Sequence, residues 1–171
     1  TVKQTLILEF CPTIISLILA GKVGSNIASE LGTMRVTEQI DALEVMGVNS
    51  IGFLIGPKIL GSLFIFPILI MYSMFFGFVG GWALCYLTEI IPIEQYLLGI
   101  QSFSYENYEY LRYALIKTVF FAFIITSVSS YFGYYTSGGA LEVGKSSTKA
   151  VVYSSILILM INVLLTQLLL D

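Results

Sequence analysis

Three long stretches of this sequence carry no charged side chain: Ile59 to Thr88, Thr118 to Leu141 and Ala150 to Leu170. A helix needs about 20 residues to cross a hydrocarbon layer about 30 Å thick. Each stretch is long enough, so membrane spans are expected over approximately 57–88, 110–135 and 149–170, with Pro67 as a kink point in the first of them. A fourth span is expected over approximately 3–31. It is apolar from Phe10 to Gly21 but carries Glu9, Lys22 and Glu30. A charged span of this kind faces protein or a water-filled cavity. The predicted fold is an all-α polytopic membrane protein with four transmembrane helices, forming a single domain over 1–171. Composition agrees: 57% of the 171 residues are hydrophobic and 11% charged, against roughly 25% charged in soluble domains. A soluble monomer and a disordered chain are both excluded.

The segment from Thr33 to Pro57 has a different character. Glu38, Asp41 and Glu44 form a polar stripe at helical spacing, and Val36, Ile40, Leu43 and Met46 or Gly47 form an apolar one. A short amphipathic helix outside the bilayer is expected over approximately 34–47, with Gly47 as its stop. Orientation follows from the loop cations. Arg35 and Lys58 flank the amphipathic helix, and Lys145 and Lys149 lie in the connection from Thr136 to Lys149. The connection from Glu89 to Arg112 carries Glu89, Glu94, Glu106 and Glu109. The amphipathic helix and the Lys145 connection therefore face the cytoplasm, and the acidic connection faces outward. Tyr96, Tyr105, Tyr108, Tyr110 and Tyr113 fit an interfacial aromatic belt there. The acidic helix lacks the Lys/Arg face that favours anionic lipid, so docking on a protein is expected instead.

Enzyme classes fare poorly. The sequence has no His, which removes His-based triads and His metal sites. Asp41 and Asp171 are its only Asp residues, and neither lies within a span, so a membrane aspartyl protease has no dyad. Cys11 and Cys85 sit singly in apolar runs and read as small packing residues. Gly144-Lys145-Ser146-Ser147 lacks the spaced glycine of a phosphate loop; Ser146, Ser147 or Thr148 is expected to cap the last span. A net charge of −3 and no basic stripe argue against a nucleic-acid partner. No catalytic residue, metal or cofactor is expected.

Two features inside the spans remain. Small residues recur every four positions in the first span, as Ala20, Gly24, Ala28 and Gly32 beside Gly21, Ser25 and Ser29. Such rows bring helix backbones together in lipid, either within one chain or at the centre of a bundle beside a cavity. Glu9 and Lys117 fall at comparable depths from the outer ends of the first and third spans. Each is costly to bury alone. They read either as snorkelling to the headgroups or as a polar collar around a substrate path.

Three blocks resemble the MlaE-type permease family, the membrane subunits of ABC transporters that work with MCE-domain proteins. They are Ala20 to Ser25 with Ala28 to Val48; Gly138 to Ala140 with Val143 to Val152 and Ser154-Ser155; and Glu9-Phe10-Cys11-Pro12, where the family usually has Gly in place of Cys11. The resemblance covers nearly the whole chain, and its most specific block is Glu38 to Val48. It implies a homodimer in a bacterial inner membrane that binds a cytoplasmic ABC ATPase, carries an MCE-domain protein on its outer side and moves phospholipids or related lipids. It implies that Arg35, Glu38, Gln39, Asp41 and Glu44 belong to a coupling helix that docks in the ATPase. It further implies a cavity at the dimer interface, with Glu9 and Lys117 near it. The family also has an N-terminal interfacial helix and a further span. The chain opens on Thr1 within an apolar segment, so that part is expected to be missing. A membrane scaffold and an ion or small-solute channel are the alternative readings. Against the first, a scaffold needs no ionisable group inside its spans. Against the second, Val151 to Leu170 offers mainly Ser154, Ser155, Asn162, Thr166 and Gln167 as polar lining.

Overall fold

The computed structural model describes residues 5–88, 92–101 and 105–170, excepting the side chains of residues 88, 101, 105–107, 169 and 170. Lys3, Glu89 and Asp171, with the side chains of Tyr105 and Glu106, therefore lie outside the described residues. The described chain is helical, and four of its helices are long and apolar enough to cross a membrane. Helix α1 covers Leu6–Val36, α2 Gln39–Val45, α3 Ser50–Thr88, α4 Ile93–Gln101, α5 Tyr105–Tyr134 and α6 Ala140–Leu170.

α1 is not regular. Over Leu6–Ile14 and again over Ala20–Gly24 its turns widen to π-helical geometry. Pro12 lies in the first of these stretches. It has no N–H to return to the Leu8 carbonyl, and its ring would strike that carbonyl in an α-helix, so a wider turn relieves both problems.

The helix expected over 34–47 is divided. Residues 34–36 complete α1, Glu38 adopts a left-handed backbone at φ 60°, and α2 retains only Gln39–Val45. Glu38 thus leaves the polar stripe that Asp41 and Glu44 still share. A left-handed non-glycine residue costs roughly 1–2 kcal/mol, and here it turns the chain sharply out of α1. Ile40 is fully buried, whereas Val45 and Met46 are 89% and 68% exposed, so the apolar stripe covers only the start of α2. Gly47, at φ +78°, ends the helix: its N–H bonds the Glu44 carbonyl and that of Val48 bonds the Leu43 carbonyl, the left-handed closure that glycine permits.

The long helices also begin earlier than the charge pattern predicts. α3 starts at Ser50 and continues through both Pro57 and Pro67. α6 starts at Ala140, so Ser146, Ser147 and Thr148 are inside it and cap nothing. Ser146 accepts from Thr136 and Ser147 donates to the Ser25 carbonyl, at 2.9 and 3.0 Å. Gly144-Lys145-Ser146-Ser147 is likewise helical and forms no phosphate loop. The acidic connection contains α4, which Tyr96 fastens to α3 through a 2.8 Å bond to the Phe78 carbonyl.

α5 is the central helix, packed against α1, α3 and α6. Phe121, Ala122, Ile125, Phe66, Ala20 and Ile158 form one buried cluster, and Ile7, Cys11, Ile70, Met74 and Ala114 another nearer the end remote from α2. Cys11 therefore fills a packed site. Gly24, Ala28 and Gly32 face α5 and α6 of the same chain: a Cβ on Gly24 would meet Ser129 Oγ at 2.8 Å, and one on Gly32 would meet Val143 at 3.2 Å. Gly21 does not join them and looks into open space. The closest approach to another helix's backbone comes from a residue outside that row. A Cβ on Gly133 would lie 2.8 Å from the Ala28 carbonyl oxygen and 2.9 Å from Leu31 Cβ, so backbone itself would have to move. Gly133→Ala is expected to destabilise the purified protein by about 1–3 kcal/mol, read as a lower midpoint in thermal unfolding. An unchanged midpoint would mean that α1 and α5 separate at no cost.

Candidate functional site

At the end of the bundle remote from α2, three helices converge on two opposite charges. α1 supplies Glu9, α5 supplies Lys117, and the two form an ion pair at 2.8 Å. The exposures are unequal: the Lys117 side chain is 0% exposed and that of Glu9 40%. The ammonium is sealed in the bundle, and the carboxylate stands at its opening. Lys117 Nζ also donates to Tyr113 OH at 3.1 Å, to Thr166 Oγ1 at 3.4 Å and to the Leu8 carbonyl at 3.4 Å. The last acceptor is the carbonyl that Pro12 cannot serve. Glu9 accepts from Asn162 Nδ2 and Thr166 Oγ1, each at 3.1 Å, and from Thr13 Oγ1 at 3.4 Å. Thr13 contacts Asn162 at 3.1 Å, and Tyr113 contacts Thr166 at 3.0 Å. A buried ion pair offsets its desolvation only when further hydrogen bonds satisfy both charges, and each charge here is so satisfied.

The two charges singled out in the sequence are thus in contact, but most of their partners are not legible from charge. Tyr113 is 6% exposed and belongs to this cluster, not to an interfacial belt; Tyr108 is exposed. Asn162 and Thr166 are isolated polar residues on α6 whose i, i+4 spacing alone places them on one face. The exposed side chains along these two helices are largely apolar, with Phe10, Ile14 and Ile18 on α1 and Ile156, Met160, Val163 and Leu164 on α6.

At the opposite end, α2 is held by polar contacts. Arg35 pairs with Asp41 at 2.7 Å and lies 5.6 Å from the ring centroid of Tyr134. Glu44 Oε1 accepts from Ser50 Oγ at 2.8 Å and from Tyr134 OH at 2.9 Å. These two hydroxyl donors hold the Glu44 carboxyl below its ordinary range. Glu38 and Gln39 are exposed at the start of α2. Glu30 and Lys58 tie α1 to α3 at 2.6 Å. Among the described residues no group of His, Cys, Asp or Glu is arranged to hold a metal ion.

Residues 1–168 match the family model described as Permease MlaE. The chain belongs to the MlaE permease family. A probable ABC transporter permease protein of Rickettsia bellii is 41% identical over 94% of this chain. One of Synechocystis sp. is 36% identical over 94%. Protein TRIGALACTOSYLDIACYLGLYCEROL 1 of Arabidopsis thaliana, described as chloroplastic, is 35% identical over 85%. The chain spans 61%, 60% and 41% of those three proteins respectively. In this MlaE-family chain, the Glu9 block and the α2 block occupy opposite ends of the bundle, joined by α1 and α5.

Proposed function

We propose that this chain is the membrane subunit of an ATP-driven transporter that moves phospholipids or related lipids. The observation that carries the reading is the Glu9–Lys117 cluster, which presents a half-exposed carboxylate on helices whose exposed side chains are largely apolar. A polar collar above an apolar wall suits a molecule with a headgroup and acyl chains. A second copy of the chain would close that face into a cavity, as a homodimer. The Rickettsia and Synechocystis relatives are named as probable ABC transporter permease proteins, and the Arabidopsis relative carries the name of a glycosylated diacylglycerol. Both names favour this reading over a scaffold or a channel.

In this reading the α2 end is cytoplasmic in a bacterial inner membrane. Arg35, Lys58, Lys145 and Lys149 lie there, while Glu94 and Glu109 lie at the other end. α2 is the coupling helix: short, acidic through Asp41 and Glu44, and tipped by the exposed Val45 and Met46. A cytoplasmic ATPase docks on it, and nucleotide binding in that partner draws two such helices together and reshapes the cavity. An MCE-domain protein at the outer end receives or delivers the lipid.

The test is co-purification. Glu38→Lys with Asp41→Lys is expected to release the ATPase from the permease and stop lipid transport in proteoliposomes. The Arg35–Asp41 pair is exposed and contributes little to folding, so release reports docking and not unfolding. An ATPase retained at wild-type stoichiometry would sink the docking assignment. Identification of the lipids that co-purify with the intact complex tests the cargo directly.

A further inference from the structure

The turn after α2 borders an open recess of about 380 Å³ at the adjoining ends of α3 and α5, between Glu44, Val48, Asn49, Ile51 and Tyr134. Its charged group is the Glu44 carboxylate. Oε1 is fixed by the hydroxyls of Ser50 and Tyr134 at 2.8 and 2.9 Å, and those two hydroxyls are 2.9 Å apart. A carboxylate has about four lone-pair sites, so two accepted bonds leave it capacity for another donor. Arg35, whose charge reaches Glu44, directs its hydrogen bond to Asp41 at 2.7 Å and not to Glu44. Val48 and Ile51 give the recess apolar walls, suited to an aliphatic stem that ends in a charge. The turn is fixed in shape by the Gly47 and Val48 hydrogen bonds back to α2.

We propose that this recess receives a basic side chain, lysine or arginine, of the partner ATPase, with Glu44 as its counter-ion and Val45 and Met46 as the apolar contact beside it. The proposal rests on α2 being the coupling helix and adds the direction of insertion: the ATPase reaches into the permease as well as the reverse. An anionic headgroup would be repelled by Glu44. Two copies of this chain meeting here would bring like charges together.

The experiment uses the complete permease–ATPase complex, with two variants and a photo-crosslinking residue at Val48. Glu44→Gln keeps the two accepted hydroxyl bonds and removes only the charge. It is expected to weaken ATPase binding about tenfold, the scale of one charge pair, and to flatten its dependence on NaCl. The Val48 crosslink is expected to land on an ATPase segment containing Lys or Arg, and changing that residue to Glu is expected to restore binding to Glu44→Lys. A crosslink to the ATPase with unchanged affinity and salt dependence in Glu44→Gln overturns the recess and leaves the coupling helix standing. A crosslink to a second permease copy, or to lipid, with ATPase binding unaffected by either variant, overturns both.

Discussion

Glu9→Leu is expected to lower the stability of the purified protein by about 3 kcal/mol, the lower end of the range for stripping a buried charge of its partner. The lower end applies because Glu9 is itself 40% exposed at its side chain, while Lys117 is 0% exposed. The loss falls on Lys117: without Glu9 its ammonium keeps only Tyr113, Thr166 and the Leu8 carbonyl as partners. For a protein of this size the midpoint of thermal unfolding should fall by roughly 10 °C. If the cluster holds lipid as proposed, lipid bound to the complex, read by native mass spectrometry, should fall as well. Glu9→Leu with Lys117→Met separates the two effects. The apolar pair removes the orphaned charge and should recover most of the stability, but it leaves no polar collar and should not recover the lipid. A double variant that regains both would reduce the cluster to a packing element. A single variant that melts like the parent would show that Lys117 finds another counter-charge.

Much of this arrangement is legible in the sequence because membrane spans are written in one variable, the absence of charge. Runs free of Lys, Arg, Asp and Glu locate α3, α5 and α6, and the exceptions, Glu9 and Lys117, locate the cluster. Helix ends are less legible, because a helix that leaves the bilayer regains polar residues without ceasing to be helical; α6 therefore starts at Ala140 although Lys145 and Lys149 follow. The division at Glu38 is hidden for a different reason. Periodicity runs through Thr33 to Gly47 without interruption, and the left-handed φ of one glutamate has no signal of its own. Partners are hidden most of all. Tyr113 reads as one of several interfacial tyrosines, and nothing local marks Asn162 or Thr166 as neighbours of Glu9, since that contact depends on the relative rotation of α1 and α6. Gly133 is missed because a single glycine in an apolar run carries no spacing.

In the proposed transporter, Tyr134→Phe is expected to separate ATP hydrolysis from lipid movement. α2 is fastened to its neighbour α3 by Ser50 and to α5 by Tyr134, and both hydroxyls converge on Glu44 Oε1. α5 then runs from Tyr134 to Lys117, 17 positions away and so about 25 Å along a helix, which places the Glu44 contact and the Glu9–Lys117 cluster on one rigid element. Removing the Tyr134 hydroxyl leaves the ring under Arg35 and every apolar contact in place. It detaches α2 from α5 and removes the 2.9 Å contact between Tyr134 and Ser50, while the Ser50–Glu44 bond to α3 remains. Hydrogen exchange within Gln39–Val45 should quicken about tenfold, as for a local opening that has lost one charge-assisted bond. The ATPase should still co-purify and still turn over ATP, while lipid moved per ATP in proteoliposomes falls several-fold. Acid should mimic the variant. Glu44 is held below its ordinary value of 4.5, so its contact is complete at neutral pH, persists as pH falls past that value and is lost as pH passes through the lowered one. Unchanged exchange in α2, with an unchanged ratio of lipid to ATP, would place the mechanical link in the buried Ile40 contact and not in Tyr134.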